Sequence, residues 1–471
     1  MARRSADKVA TMISRSLLVV LLAIPAIGPA MAEDWTRFRG PNGSGIAAGE
    51  GYPDELDPAK NALWRTAARP GKSSPVLTDG LIFLTAFDDE RLYTQCFSRD
   101  TGELLWERSV ERNREAELNK LNEPAAISPV TDGANVYVFF RDVGLLSYDP
   151  AGALRWKTPL GPFANSMGHG SSPVFVDGRI LVQADQKLGS YVAALNASNG
   201  EIEWKTEREE GEGWATPLLF KDRLVTISRG WIGAHALDDG RRLWGSKTLS
   251  PALVASPVAV DDRVYAFGYG NAASTDWEKS FRNRDADGDG FVSGKELDGQ
   301  PFLAGIAKYE GNRDDILALD EFLAAARATE APSSMVAFRL EDDPTAPPVE
   351  LWRHERAFNG VIPSALIYRD VVYLIKNGGI LETLDAATGE SLKMGRLRDA
   401  IAGYSASPVA ADGKVYMAGE DGKVSVLKAG GDWQALSTSD FGEEIYATPA
   451  LSGGKVYLRT QEALYCLGAG R

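Results

Sequence analysis

Residues 285–296 read DADGDGFVSGKE, and the acidic side chains of Asp285, Asp287 and Asp289 recur in them at every second position. Gly290, Phe291, Ser293 and Glu296 follow. Counted from Asp285, side-chain oxygens stand at positions 1, 3, 5, 9 and 12, and the Phe291 carbonyl stands at position 7. A hard cation that wants six to eight oxygens suits such a set, and the glycine at position 6 permits the sharp turn that gathers them. Calcium is the ion this chemistry selects. Phe281, four residues before the loop, and Leu297, just after it, have the spacing of apolar contacts on flanking helices.

The loop resembles the EF-hand calcium loop at every position. A degenerate second copy can be laid on Glu310, Asn312, Asp314, Asp315, Ile316 and Glu321, with Phe322 in the place of Leu297. Asp315 and Ala318 stand where the glycine and the position-9 oxygen belong, so this copy reads as a partner that pairs Leu317 with Val292. Exported calcium modules bind at about 10⁻⁴ to 10⁻³ M, an affinity that suits ordering a structure better than signalling. Other chemistry is sparse. No nucleophile-elbow, phosphate-loop or zinc-protease motif is present, and His235 and His354 lack neighbours at metal-ligand spacing.

The rest of the chain reads as short strands. A small residue, Ser or Thr, then Pro, a turn and an alternating apolar run recur as SSPVLTDGLIFL (73–84), SSPVFVDGRILV (171–182) and ASPVAADGKVYMA (406–418), among eight copies. The repeat prolines are read as Pro75, Pro129, Pro173, Pro217, Pro257, Pro363, Pro408 and Pro449, with steps of 54, 44, 44, 40, 106, 45 and 41 residues. One oversized step in a period near 44 means an array with an insertion in its fifth unit. Each unit reads as four strands, the first two a hairpin. The fourth carries Trp106, Trp156, Trp204 or Trp244, each four residues after Gly102, Gly152, Gly200 or Gly240. A large ring at a fixed place suits packing between neighbouring sheets. The last unit stops at Cys466-Leu467 without a tryptophan strand, whereas Asn61–Ala67 is a tryptophan strand without a unit, so the N-terminal strand is expected to close a ring.

The SPV…G.VY and ALD..TG…W pattern resembles the pyrroloquinoline-quinone (PQQ) type β-propeller repeat, shared by quinoprotein dehydrogenases and by the BamB-type subunit of the outer-membrane barrel-assembly machinery. DWTRFRGPNGSG (34–45) is similar to the opening of exported propellers of this type. The resemblance implies an all-β, eight-bladed β-propeller with a small helical EF-hand insertion in blade five. The expected organisation is a signal peptide at 1–32, propeller at 33–271, insertion at 272–333 and propeller at 334–471. Residues before each first strand would gather at the channel mouth: Lys72, Glu123, Asn165, His169, Trp214, Asn359, Tyr404 and Tyr446. Of these, Lys72, His169, Trp214, Tyr404 and Tyr446 are the candidate ligand set for a planar or sugar-like molecule. A quinoprotein would add bound PQQ, funnel calcium and a carboxylate base. Here there is no adjacent cysteine pair, and none of that family's catalytic or metal-binding residues finds a matching position.

Composition narrows the partners. The formal charge is −14, more negative once the leader's Arg3, Arg4, Lys8 and Arg15 are removed, and such a chain is a poor ligand for nucleic acid or an anionic membrane. The leader pairs this basic start with an apolar run from Leu17 to Ile27, too short to span a membrane, and ends in Ala30-Met31-Ala32; Glu33 stands where a lipoprotein needs cysteine. A monomeric periplasmic or secreted protein is expected. Cys96 and Cys466 fall at equivalent places in the first and last units, too far apart to bridge, and read as two buried side chains. These readings favour a non-catalytic binding or assembly scaffold that holds calcium and meets protein partners or an exported ligand. The alternative is a quinoprotein-type oxidoreductase, or another enzyme, using the central funnel.

Overall fold

The structure, a computed structural model, describes residues 35–112, 122–163, 165, 167–251, 254–270, 276–298, 300–309, 312, 314–328, 331–356 and 362–469. The expected leader, Glu310 and Asn359 lie outside them. Eight four-stranded antiparallel sheets form an all-β, eight-bladed propeller. Blade one runs through Val76–Leu77, Leu81–Phe87, Arg91–Ser98 and Leu104–Glu111. Its second and third strands bury nearly every side chain because both faces pack on neighbouring blades, while the fourth is mostly exposed. Blade eight takes Ala450–Ser452, Lys455–Arg459 and Ala463–Leu467 from the end of the chain and Ala62–Ala67 from its beginning. The closing strand expected from Trp64 is therefore present, with Trp64 opposite Cys466. Cys96 and Cys466 are both buried and free.

The tryptophans join the blades in sequence. Five indole N–H groups donate to a main-chain carbonyl of the next blade: Trp64 to Arg99 (3.3 Å), Trp106 to Pro150 (2.9 Å), Trp156 to Ala197 (3.0 Å), Trp204 to Leu237 (3.3 Å) and Trp352 to Ala386 (3.1 Å), whereas that of Trp244 has no acceptor among the described residues. The ring lies on the turn glycine beside that carbonyl. A Cβ on Gly102 would stand 2.6 Å from the Trp64 ring, and Gly102 has φ +74°. Conformation and contact both demand glycine there.

A second ring of bonds links the first strands. The N–H of Ser74 donates to the hydroxyl of Ser128 (2.9 Å), Ser128 to Ser172 (3.2 Å), Ser172 to Thr216 (2.9 Å) and Thr216 to Ser256 (2.9 Å). Ser256 continues to Ser364 (2.9 Å), Ser364 to Ser407 (3.0 Å), Ser407 to Thr448 (3.0 Å), and Thr448 returns to Ser74 (3.0 Å). This circle corrects one position of the repeat alignment. Ser364 occupies the Ser/Thr place, so Ala365 rather than Pro363 fills the proline place of blade six, and the flanking steps become 108 and 43 residues. The hydroxyl, which bonds across blades, identifies the equivalent residue where proline does not.

The fifth blade is interrupted after Arg263–Gly268 and resumes with Ser333–Arg339, so the intervening segment leaves between its second and third strands. The segment contains α1 (Trp277–Arg282), α2 (Pro301–Tyr309) and α3 (Leu319–Ala328), with a two-stranded ladder of Phe291–Ser293 and Ile316–Ala318. Val292 pairs with Leu317, and Phe281, Leu303, Ile306 and Phe322 pack around them. No helix among the described residues is long and apolar enough to cross a membrane.

Candidate functional site

The eight first strands converge on a cavity of about 200 Å³. Its described lining includes the eight hydroxyl residues of the ring together with Lys72, Trp214 and Tyr446, three of the residues expected at the channel mouth. The Lys72 ammonium lies 4.4 Å above the Tyr446 ring. The Tyr446 hydroxyl donates to Glu444 (3.2 Å), and burial with that neighbouring carboxylate pushes its pKa up to about 12. Trp214 donates its indole N–H to Gly168 (2.8 Å) and packs beside Gly170, anchoring the glycine-bearing loop 161–173.

The other candidates do not line the cavity. His169 is fully buried, 5.1 Å from the Phe139 ring centre and 5.4 Å from that of Phe163. Burial, reinforced by the positive charge of Arg141, pushes its pKa down to about 3, so the imidazole is neutral. It belongs to the aromatic packing under the loop because a neutral ring is the form that such apolar surroundings favour. Tyr404 is likewise buried; its hydroxyl donates to Ala400 (2.9 Å), and burial raises its pKa. The Asn165 amide donates to the Asp185 carbonyl (3.1 Å). Glu123 sits behind the wall, accepts the Lys72 main-chain N–H, and has its pKa raised by burial.

The sequence reading missed the N-terminal segment. Trp35 and Thr36 present carbonyls to Leu77 (2.8 Å) of blade one and Thr131 (2.9 Å) of blade two. Arg37 donates to Pro217 (2.7 Å) and Arg39 to Ala365 (2.7 Å), in blades four and six, and Gly45 accepts from Ala410 (2.8 Å) in blade seven. Phe38, between the arginines, lines the cavity. The segment thus lies across the first strands of five blades. Nothing in its spacing announces this. The Ser/Thr of each repeat, by contrast, was visible beside the proline, and its recurrence is the signal that leads to the cavity.

In the acidic loop of the insertion, carboxylate oxygens of Asp285, Asp287 and Asp289 lie within 4.8 Å of one another. Glu296 reaches back across the loop and accepts from Ala286 (2.6 Å), Asp287 (3.4 Å) and Ser293 (3.0 Å); these N–H bonds, Ser293 first, hold its carboxyl below the usual range. Asp285 Oδ1 is buried with no hydrogen-bond partner among the described residues. The second loop repeats the pattern: Glu321 accepts from Asn312 (2.8 Å) and Ala318 (3.2 Å), and Ile316 donates to Asp314 (2.9 Å) as Phe291 donates to Asp289 (2.8 Å). Asp315, where the first loop has Gly290, takes φ +64° against +90°.

With eight similar sheets, a tryptophan contact repeated from blade to blade and a chain-closing strand in view, the sequence can be set beside known proteins. The family model described as outer membrane protein assembly factor BamB matches residues 55–244, 94–300 and 348–470. The chain belongs to this family. BamB of Shewanella oneidensis is 24% identical over 266 residues, 50% of this chain and 66% of that one. BamB of Moranella endobia is 27% identical over 166 residues, 35% of this chain and 40% of that one. The matches thus span about two thirds of one relative and two fifths of the other. The BamB structure from Moraxella catarrhalis superposes with a TM-score of 0.54 at 12% identity, covering 86% of this chain and 97% of that one. A europium-containing methanol dehydrogenase gives 0.57 at 10% identity, covering 93% and 98%. At such identities the structural likeness concerns the fold alone.

Proposed function

We propose that this protein is an exported, non-catalytic propeller that serves as a binding or assembly scaffold in the cell envelope, with calcium held by an EF-hand in its fifth blade. The observation that carries the scaffold reading is the BamB family match, which takes in repeats on both sides of the insertion. Its relatives are named for outer-membrane protein assembly, and protein partners of that kind are what the reading assigns to this chain. The signal peptide at 1–32 and a periplasmic or secreted location belong to the same proposal.

The calcium assignment rests on the donor set. Asp285, Asp287, Asp289 and Glu296, the Phe291 carbonyl and Ser293, directly or through water, would surround one ion; Asp285 Oδ1, buried without a partner, is an oxygen such an ion would satisfy. The ion would tie the two loops to the ladder and order the insertion. Calorimetric titration of the mature chain should give a dissociation constant of about 10⁻⁴ to 10⁻³ M, and Asp285→Ala or Glu296→Ala should abolish the heat while leaving the propeller folded. Retention of binding in both variants would remove the assignment. For the scaffold itself, deletion of the gene should lower the level of outer-membrane β-barrel proteins; unchanged levels would count against it.

A second reading, a quinoprotein-type enzyme, is favoured by one feature: Lys72, Trp214 and Tyr446 put an ammonium and two aromatic rings in the lining of one cavity. Micromolar PQQ binding lost in Trp214→Ala would support it, and no heat with folded, calcium-loaded protein would leave the scaffold alone.

A further inference from the structure

The insertion begins and ends on the face where the central cavity opens. In the other blades the turn between the second and third strands takes two to five residues, 229–230 in blade four and 377–379 in blade six among them. These turns meet the connectors that lead to the first strands. The Asp185 carbonyl accepts from Asn165 (3.1 Å), Asn377 accepts the Tyr404 N–H (2.9 Å), and the N–H groups of Glu420 and Gln461 donate to Gly403 (2.9 Å) and Glu444 (3.0 Å). The same connectors supply Met167, Ser405 and Tyr446 to the cavity lining. In blade five the corresponding turn is the whole segment from 269 to 332, so its root lies at the mouth.

That root is fastened to the cavity wall. The Gly270 N–H donates to the Ser333 hydroxyl (3.2 Å), which donates to the Gly270 carbonyl (3.1 Å), so the two ends of the insertion are closed on each other. Ser250, in the connector from blade four, donates to the Pro332 carbonyl (2.6 Å), and its hydroxyl oxygen lies 2.9 Å from that of Ser334. A Cβ on Gly268 would stand 2.9 Å from Ser250, so strand end and connector touch as closely as glycine allows. Val254 and Ser256, farther along this connector, line the cavity. The register that sets Val258 opposite Tyr265 brings Ser256 level with Phe267, one residue before the strand ends at Gly268.

The far end of the insertion is the acidic loop. Asp285 follows the end of α1 by three residues, and α3 begins at Leu319, directly after the ladder strand Ile316–Ala318. The two helices meet through Trp277 and Phe281 on Phe322, with ring centres 6.2 and 5.4 Å apart. Carboxylate oxygens of three aspartates within 4.8 Å repel one another until a cation lies among them. An ion there fixes the end of α1 against the ladder, and the packed helix pair carries that constraint towards Ala331, three residues beyond the end of α3. We infer, resting on the calcium reading above, that calcium in the insertion regulates the central cavity. The loaded insertion holds Ser250 and stiffens the wall at Val254 and Ser256; without calcium that wall is looser and the cavity more accessible.

Thiol modification reads this wall without a ligand. Cys96 and Cys466 are buried, and burial pushes their thiols up to about 12 and 11, so they stay unreactive in the folded chain. Val254→Cys puts one reactive thiol in the lining, and its modification by a water-soluble aromatic disulfide is timed in saturating calcium and in chelator, with calcium calorimetry on the same variant. Calcium should slow the reaction by about fivefold or more, the low end of ordinary coupling between sites. Asp285→Ala in that background should abolish the difference. Ser250→Ala, which removes the ties to Pro332 and Ser334, should keep the calcium heat and lose most of the slowing. If Val254→Cys does not fold, Ile362→Cys is read in the same way, since Ile362 lines the cavity two residues from Ser364, which accepts the Ser256 N–H. Calcium heat with equal rates in calcium and chelator would overturn the regulation and leave the calcium site standing. No calcium heat in folded protein would overturn both.

Discussion

His169 shows how burial changes what a residue is for. In the sequence it stands in a glycine-bearing loop and looks available to a ligand; in the fold it lies between Phe139 and Phe163 with no exposed surface. Its ordinary pKa near 6.5 is lowered to about 3 in the folded state, first by burial and then by Arg141. The unfolded chain therefore binds a proton that the folded chain refuses. The stability this gives is fully present above about pH 6.5 and is lost as pH falls towards 3, at up to about 1.4 kcal/mol per pH unit. Urea unfolding at pH 7 and pH 5 should show a steeper loss for wild type than for His169→Phe, which keeps an aromatic ring but cannot be protonated. Equal losses would mean that the imidazole is already charged in the folded protein. The acidic loop is the opposite case: its ligand spacing is local, so position numbers alone place Asp285, Asp287 and Asp289 together, as the structure does.

At the scale of elements, the tryptophan strand and the glycine turn are two halves of one joint. Their four-residue spacing is legible within a repeat, but the tryptophan packs on the glycine of the following blade, as Trp64 on Gly102 and Trp106 on Gly152 show; Trp244 is the exception, because the turn it faces in blade five has no glycine. Gly102→Ala adds a methyl that the Trp64 ring already occupies and places alanine at positive φ. It should cost about 2–4 kcal/mol and lower the thermal midpoint, whereas Gly80→Ala, with nothing within 4 Å of its added Cβ, should change little. The Pro363 assignment failed at this scale as well. Pro363 stands one residue before Ser364, the residue that bonds, and the Ser256-to-Ser364 hydrogen bond distinguishes them. The insertion was legible as an excess of length, and its exit between the second and third strands followed from the strand patterns that flank it.

For the whole molecule, closure is the stabilising device. A propeller built from eight nearly equal blades keeps only short edges once the last sheet borrows a strand from the first residues, and here Ala62–Ala67 supplies it. Two truncations separate the roles of the N-terminal region. A chain beginning at Asn61 keeps the closing strand but loses the segment that carries Arg37, Phe38 and Arg39 and bonds to the first strands of five blades; it should remain folded and unfold at lower urea. A chain beginning at Val76 loses the strand too and exposes Ala463–Leu467 as an unpaired edge, so it should aggregate or associate, which light scattering will report.

Repeat period, strand alternation, closing strand and oxygen spacing could all be read from residues near one another in the chain, since each is a local pattern imposed by side-chain period or by the reach of a twelve-residue loop. The hydroxyl circle, the buried histidine and the arginines across the first strands could not. Ser74 meets Thr448 across 374 residues and Arg39 meets Ala365 across 326, and such contacts arise only when ring closure brings strands from every blade to one axis. The sequence by itself determined the blades and the acidic loop; the tertiary structure alone decided what faces the channel, because burial and charge there are properties of the assembled ring.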